Sequence, residues 1–61
     1  MRLHLIDPAY TDRLVAYLRD LGQHPTVETP ACVVVEAEPA EIEVYLSVWK
    51  VLHPDAEIQI G

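Results

Sequence analysis

Apolar side chains recur with helical spacing between residues 38 and 52, and they form two stripes rather than one. At about 100° per residue, the first stripe consists of Ile42, Tyr45, Leu46, Trp49 and Leu52. The second stripe lies to one side of the first and consists of Val44, Val48 and Val51. Because one core covers only one face of a helix, the pattern predicts that the second stripe contacts another molecule.

Residues 8–21 form a second amphipathic stretch with recognisable helix ends. Asp7 is a good N-cap, and Pro8 at the first helical position gives up no backbone donor that the helix needs. Gly22 is suited to the left-handed conformation that ends many helices. The stretch therefore predicts a helix whose apolar face is made of Tyr10, Leu14, Tyr17, Leu18 and Leu21.

Strand patterns flank both helices. Residues 2–6 alternate with Leu3 and Leu5 inward, and residues 56–60 alternate with Ile58 and Ile60 inward. The three consecutive valines within residues 31–37 are typical of a strand. We expect residues 26–28 to form a short edge strand, joined to the valine strand by a turn at Thr29 and Pro30.

A weak internal repeat supports this order of elements. The segment from Asp7 to Ala9 aligns with the segment from Glu38 to Ala40, and the apolar positions of the two helices follow in register. Two βαβ halves in tandem resemble the ferredoxin-like, or split βαβ, arrangement, an α+β fold with two helices on one face of an antiparallel sheet. In that arrangement the strands at 2–6 and 31–37 are central. Without the strand at 26–28, the alternative is a three-stranded βαβαβ sheet. The length predicts a single domain, residues 1–61.

Two helices on one face leave the other face of the sheet open. Alternation places Arg2, His4 and Ile6 on the open face, with Glu57 and Gln59 beside them. For the valine strand the repeat register puts Val33 and Val35 on the open face, whereas placing Glu36 in solvent argues for Val34 instead. Either choice leaves valine uncovered, so we expect an interface there that includes His4, Val33 and Val35.

Charge and composition exclude several classes of function. The net charge of −6 disfavours binding to nucleic acid or to an anionic membrane surface, because both require an excess of basic residues. No apolar run is long enough to span a membrane, and the expected location is cytoplasmic. The single Cys32 cannot form an intrachain disulfide, and three scattered histidines predict no metal site.

The candidate chemistry is limited to one histidine. In the predicted sheet His4 lies beside Glu57, and also beside Glu36 if Val34 and Glu36 are on the open face. A histidine with an orienting carboxylate next to it can act as a general base. No nucleophile or oxyanion site accompanies it, so we favour a surface or interface role. Cys32 is interpreted as a packed strand residue. We predict no catalytic residue and no cofactor.

These patterns favour a small acidic, non-enzymatic interaction or regulatory module that forms a homodimer. A chain of this length buries only about 60% of its unfolded surface, so self-association is an expected source of stability. One alternative is a small-ligand sensor or minimal enzyme with a site between subunits around Arg2, His4, Glu57 and Gln59. Another is an adaptor for a different, basic protein partner, guided by the acidic surface.

Overall fold

Two helices and a four-stranded antiparallel sheet make up the fold in the computed structural model, which describes residues 1–61. The elements in chain order are β1 (Arg2–Leu5), a 3-10 turn (Pro8–Tyr10), α1 (Thr11–Asp20), β2 (Thr26–Thr29), β3 (Cys32–Val34), α2 (Pro39–Leu52) and β4 (Ile58–Ile60). The predicted α+β class is confirmed. The three-stranded alternative is wrong, because β2 is present.

The sheet has the strand order β2-β3-β1-β4, and every neighbouring pair is antiparallel. Strands β1 and β3 are therefore central, while β2 and β4 form the two edges. Leu3 lies opposite Val33 on one side and opposite Ile60 on the other. Between Val27 and Thr29 the pairing of β2 with β3 shifts register, so Glu28 occupies a bulge.

Local capping explains where the first helix begins and ends. The Asp7 carboxylate accepts a hydrogen bond from the Ala9 backbone N–H at 3.0 Å, which starts a 3-10 turn at Pro8 before the regular helix begins at Thr11. Gly22 has a φ of 83° and its N–H donates to the Arg19 carbonyl at 3.0 Å. A glycine is well suited to this left-handed position, because it lacks the Cβ that strains other residues there.

The core lies between the two helices and one face of the sheet. It consists of Leu3, Leu5, Leu14, Val15, Leu18, Val33, Val35, Ile42, Trp49 and Ala56. Val33 and Val35 are only 0% and 1% exposed. The prediction that these two valines face a partner is therefore wrong. The alternative reading, in which Val34 and Glu36 share the open face, is correct, and Glu36 is exposed. Side chains two positions apart in a strand lie on the same face, and a carboxylate is more stable in solvent than in the core.

Candidate interaction surface

The open face of the sheet brings together most of the polar residues that the sequence assigned to it. Gln59 lies directly opposite His4, and the Glu57 carbonyl accepts a hydrogen bond from the Ile6 N–H at 3.1 Å. The Arg2 guanidinium lies 3.3 Å from the Glu28 carboxylate, which reaches the same face from the β2 bulge. This ion pair is exposed to solvent and contributes little to stability.

His4 does not form the base–carboxylate pair considered from the sequence. Its imidazole lies over Gly61, so close that a Cβ on that glycine would be 2.8 Å from Nε2. The Gly61 N–H donates to the Arg2 carbonyl, so the imidazole lies towards the Gly61 end of β4, and no ion pair joins it to Glu57. No group of three potential ligands is arranged for a metal ion.

The open face also exposes less apolar surface than the sequence suggests. Val34, which lies opposite Arg2, is half-buried, and Cys32, which lies opposite His4, is 5% exposed. The interpretation of Cys32 as a packed residue agrees with this burial. Only Ile6, at 59% exposed, presents a large apolar side chain on this face. No cavity forms around His4, since the one cleft of the chain lies elsewhere.

The outer side of α2 carries the largest concentration of exposed apolar side chains. Val44 is 61% exposed, Val48 49%, Val51 80% and Leu52 58%, and we refer to these four residues as the α2 patch. The sequence predicted the three valines on this side. It placed Leu52 in the core stripe, which is wrong: in the last turn the space against Trp49 is filled by His53, whose ring centroid lies 4.3 Å from that of the indole.

A contact with α1 occupies one flank of α2. The Tyr17 hydroxyl donates to the Tyr45 carbonyl at 2.7 Å, and the Tyr45 hydroxyl donates to the Glu41 carboxylate at the same distance. Burial raises the pKa of Tyr17, whereas the hydrogen bond to Glu41, followed by burial and the carboxylate charge, raises the pKa of Tyr45. Both tyrosines are therefore held in their neutral, donating form. The Tyr17 hydrogen bond joins α1 to α2, whereas the Tyr45 hydrogen bond lies within α2.

The other flank of α2 borders a cleft of about 590 Å³ that opens beside the edge strand β4. Glu43, Ser47 and Lys50 of α2 line one wall, and Ile58 and Ile60 of β4 line the other. Trp49 and Ala56 also line it, and they are joined by a hydrogen bond of 3.2 Å from the indole N–H to the Ala56 carbonyl. The sequence did not predict this cleft, because the polar arc of α2 looks like an ordinary solvent-facing surface.

Comparison of this chain with protein-family models, with curated proteins and with solved structures finds no match. None of the helices combines the length and the apolar character that crossing a membrane requires. The surfaces described above are therefore the basis for a functional proposal.

Proposed function

We propose that this chain is a small non-enzymatic interaction module that self-associates through the α2 patch. The observation that supports the proposal is the exposure of four large aliphatic side chains, between 49% and 80%, on one side of one helix. Scattered exposed apolar residues are common on monomers, whereas a contiguous group of this kind is typical of contact surfaces.

The scaffold we propose is ferredoxin-like. The element order βαββαβ, and a sheet with β1 and β3 at its centre, support the split βαβ arrangement. On such a scaffold the helix layer is a natural place for contacts between copies, because α2 is supported from below by the sheet and on one flank by α1.

The spacing within the α2 patch suits a contact between two copies of the helix. Val44, Val48 and Leu52 follow one another at intervals of four residues and form a ridge along the helix. Ridges of this type interdigitate when two helices cross at about −50°. The self-contact is isologous, so each buried side chain is counted twice in the dimer. Complete burial of a valine or leucine contributes about 1.5–3 kcal/mol, and these side chains are already partly buried.

The test is the pair Val48→Lys and Thr26→Lys. Both positions are exposed, and both substitutions reduce the net negative charge of the chain by one unit. We expect Val48→Lys to shift the protein towards monomer, with at least a tenfold weaker association, because a desolvated ammonium group opposes burial. Thr26→Lys should leave association within about threefold of the wild type, because Thr26 is in β2, at the opposite edge of the sheet from β4, and lies outside both the α2 patch and the cleft.

Sedimentation equilibrium at micromolar concentrations measures both effects, and the near-ultraviolet circular dichroism of buried Trp49 reports whether each variant is folded. A lysine substitution distinguishes loss of the patch contact from an increase in charge repulsion between copies. Lowering the negative charge of an acidic protein reduces that repulsion and by itself favours association. Weaker association of Val48→Lys would therefore come from the patch itself. Association of Val48→Lys equal to that of the wild type would contradict the proposal, as would a wild type that stays monomeric.

A further inference from the structure

We infer that the free edge of β4 pairs antiparallel with β4 of a second copy, which joins two four-stranded sheets into one sheet of eight strands. This contact is separate from the α2 patch, although it rests on the proposed self-association of the chain. It uses the strand edge and the cleft beside it, which the α2 patch leaves free.

The backbone of β4 has unused hydrogen-bonding groups on its outer side. The Gly61 N–H donates to the Arg2 carbonyl at 3.0 Å, and the Glu57 carbonyl accepts from the Ile6 N–H at 3.1 Å. Because bonded and non-bonded pairs alternate along an antiparallel ladder, the backbone groups of Ile58 and Ile60 point away from β1. Neither residue makes a backbone bond to a turn or loop. These groups form a template for another strand.

The other edge of the sheet lacks this template. Strand β2 contains the bulge between Val27 and Thr29, and Pro25 and Pro30 lie just outside its two ends. Bulges and prolines are two of the features by which proteins prevent edge-to-edge pairing. The residues of β4, in contrast, are Ile58, Gln59 and Ile60, with no proline, no bulge and no charged side chain.

The strand is complementary to itself in sequence as well as in backbone. Antiparallel pairing around a twofold axis at Gln59 places Ile58 opposite Ile60 of the second copy, and the reverse. Each of these pairs exchanges two backbone hydrogen bonds. Ile58 and Ile60 lie in register with Leu5 and Leu3, on the helix side of the sheet, so the four isoleucines cover one another at the base of the cleft.

The polar wall of the cleft is also self-complementary. Along α2 it has an acid at one end, Glu43, a small residue in the middle, Ser47, and a base at the other end, Lys50. A twofold axis perpendicular to the sheet brings the second α2 antiparallel to the first. Glu43 of one copy then faces Lys50 of the other on both sides of the axis. The Glu43 and Lys50 charges therefore offset each other across the axis, and Glu57, which also lines the cleft, leaves one uncompensated negative charge per copy.

The size of the contact indicates its strength. The molecule measures 25 × 24 × 21 Å along its principal axes, so one strand edge and one cleft wall offer a contact at the small end of specific interfaces, about 1,200 Å² in total. Contacts of this size are commonly weak or transient. We therefore expect association in the micromolar range.

Amide hydrogen exchange followed by NMR tests the backbone pairing directly. The Ile58 and Ile60 amides face outward in the single chain, whereas the Gln59 amide, in the pair bonded to His4, serves as an internal control. We expect protection of Ile58 and Ile60 to rise at least tenfold between low and high micromolar protein, with a smaller rise for Gln59. Equal exchange of Ile58 and Ile60 at all concentrations would overturn the inference.

A matched pair of variants tests the same edge. Ile60→Pro removes the outward N–H while it spares the bonds to β1, and proline is tolerated at such an edge position. Ile60→Val keeps the N–H and most of the side chain. We expect Ile60→Pro to weaken association at least tenfold and Ile60→Val less than threefold. Equal association of the two variants, with Trp49 circular dichroism showing both folded, would contradict the pairing.

Charge reversal tests the register. Lys50→Glu alone sets two acids against each other across the twofold axis, and Glu43→Lys alone sets two bases against each other. The double variant restores the pairing with the same net charge of −6 as the wild type. We expect each single reversal to weaken association by about threefold or more and the double variant to recover it. A double variant as weak as the singles would exclude this register.

These results separate the inference from the proposed function. If Val48→Lys weakens association and Ile60→Pro does not, the α2 patch is the contact and the β4 pairing is wrong. If the reverse is found, the β4 pairing holds and the patch proposal is wrong. A wild type that remains monomeric, with β4 amides protected only when an extended peptide of another protein is added, would show that the edge serves a foreign strand and would overturn the inference.

Discussion

The Tyr17 hydroxyl holds α1 against α2, the Tyr45 hydroxyl makes a hydrogen bond within α2, and the ionisation of both links this region to pH. Tyr17 donates to the Tyr45 carbonyl and Tyr45 donates to Glu41, and both tyrosines have a pKa above the ordinary value of 10.0. The folded chain therefore retains these protons more strongly than the unfolded chain. The hydrogen bonds stabilise the fold below pH 10.0 and are lost as the pH rises through the raised pKa values.

We expect the free energy of unfolding to decrease as the pH is raised above about 10, where the unfolded tyrosines ionise first. Tyr17→Phe should be less stable at neutral pH by about 1 kcal/mol, the usual net value of a lost hydrogen bond, and should show a shallower decrease at alkaline pH. Urea unfolding at a series of pH values measures this dependence. An equally steep decrease in Tyr17→Phe and in the wild type would show that the hydroxyl is not responsible.

At the scale of elements, sequence patterns located every helix and strand because each pattern is local. The Asp7–Pro8 and Glu38–Pro39 pairs lie at the starts of the two helical regions, and alternation located both β1 and β4. The helical period also identified the exposed valines of α2, since a helix has only one side against the sheet. The 3-10 turn at Pro8 was not predicted, because a capped 3-10 turn and the first turn of an α-helix share the same sequence signals.

Features that depend on pairing between elements could not be predicted in the same way. The valine strand is apolar on both faces, so only its register with β1 decides that Val33 and Val35 enter the core. The cleft arises from the distance between α2 and β4, which no local pattern encodes. The base–carboxylate pair that the sequence allowed for His4 is absent for a similar reason, because the imidazole lies over the neighbouring Gly61.

The start of the first helical region gives a prediction at this scale. Asp7→Ala removes the acceptor that bonds the Ala9 N–H at 3.0 Å, and the loss of such a cap costs about 1 kcal/mol of stability. Asp7→Asn removes the same charge but keeps a side-chain oxygen, so it should cost only a few tenths of that energy. Urea denaturation of the three proteins measures the difference. Equal destabilisation by alanine and asparagine would assign the effect to charge and not to the cap.

At the scale of the whole molecule, the small core and the uncovered surfaces are related. Of 61 residues, 13 are buried, and ten apolar residues form the core. A core of this size supports only marginal stability in an isolated domain. The α2 patch and the β4 edge are the places where a second copy would bury further apolar surface and pair further backbone groups. The proposed association would add to the stability of the folded chain through mass action, because the unfolded chain lacks these contacts.

Thermal stability should therefore depend on protein concentration. Where the wild type is mostly associated, we expect the Tm to rise by roughly 3–5 °C for each tenfold increase in concentration, as mass action predicts for dimers of domains of this size. The double variant Val48→Lys with Ile60→Pro, which disrupts both proposed contacts, should melt at one temperature throughout. If both contacts form, each single variant should retain part of the concentration dependence of the Tm. If only one contact forms, the variant at that contact should lose this dependence and the other variant should keep it. Circular dichroism melts over a hundredfold range of concentration measure this, and a concentration-independent wild-type Tm would contradict stabilisation by self-association.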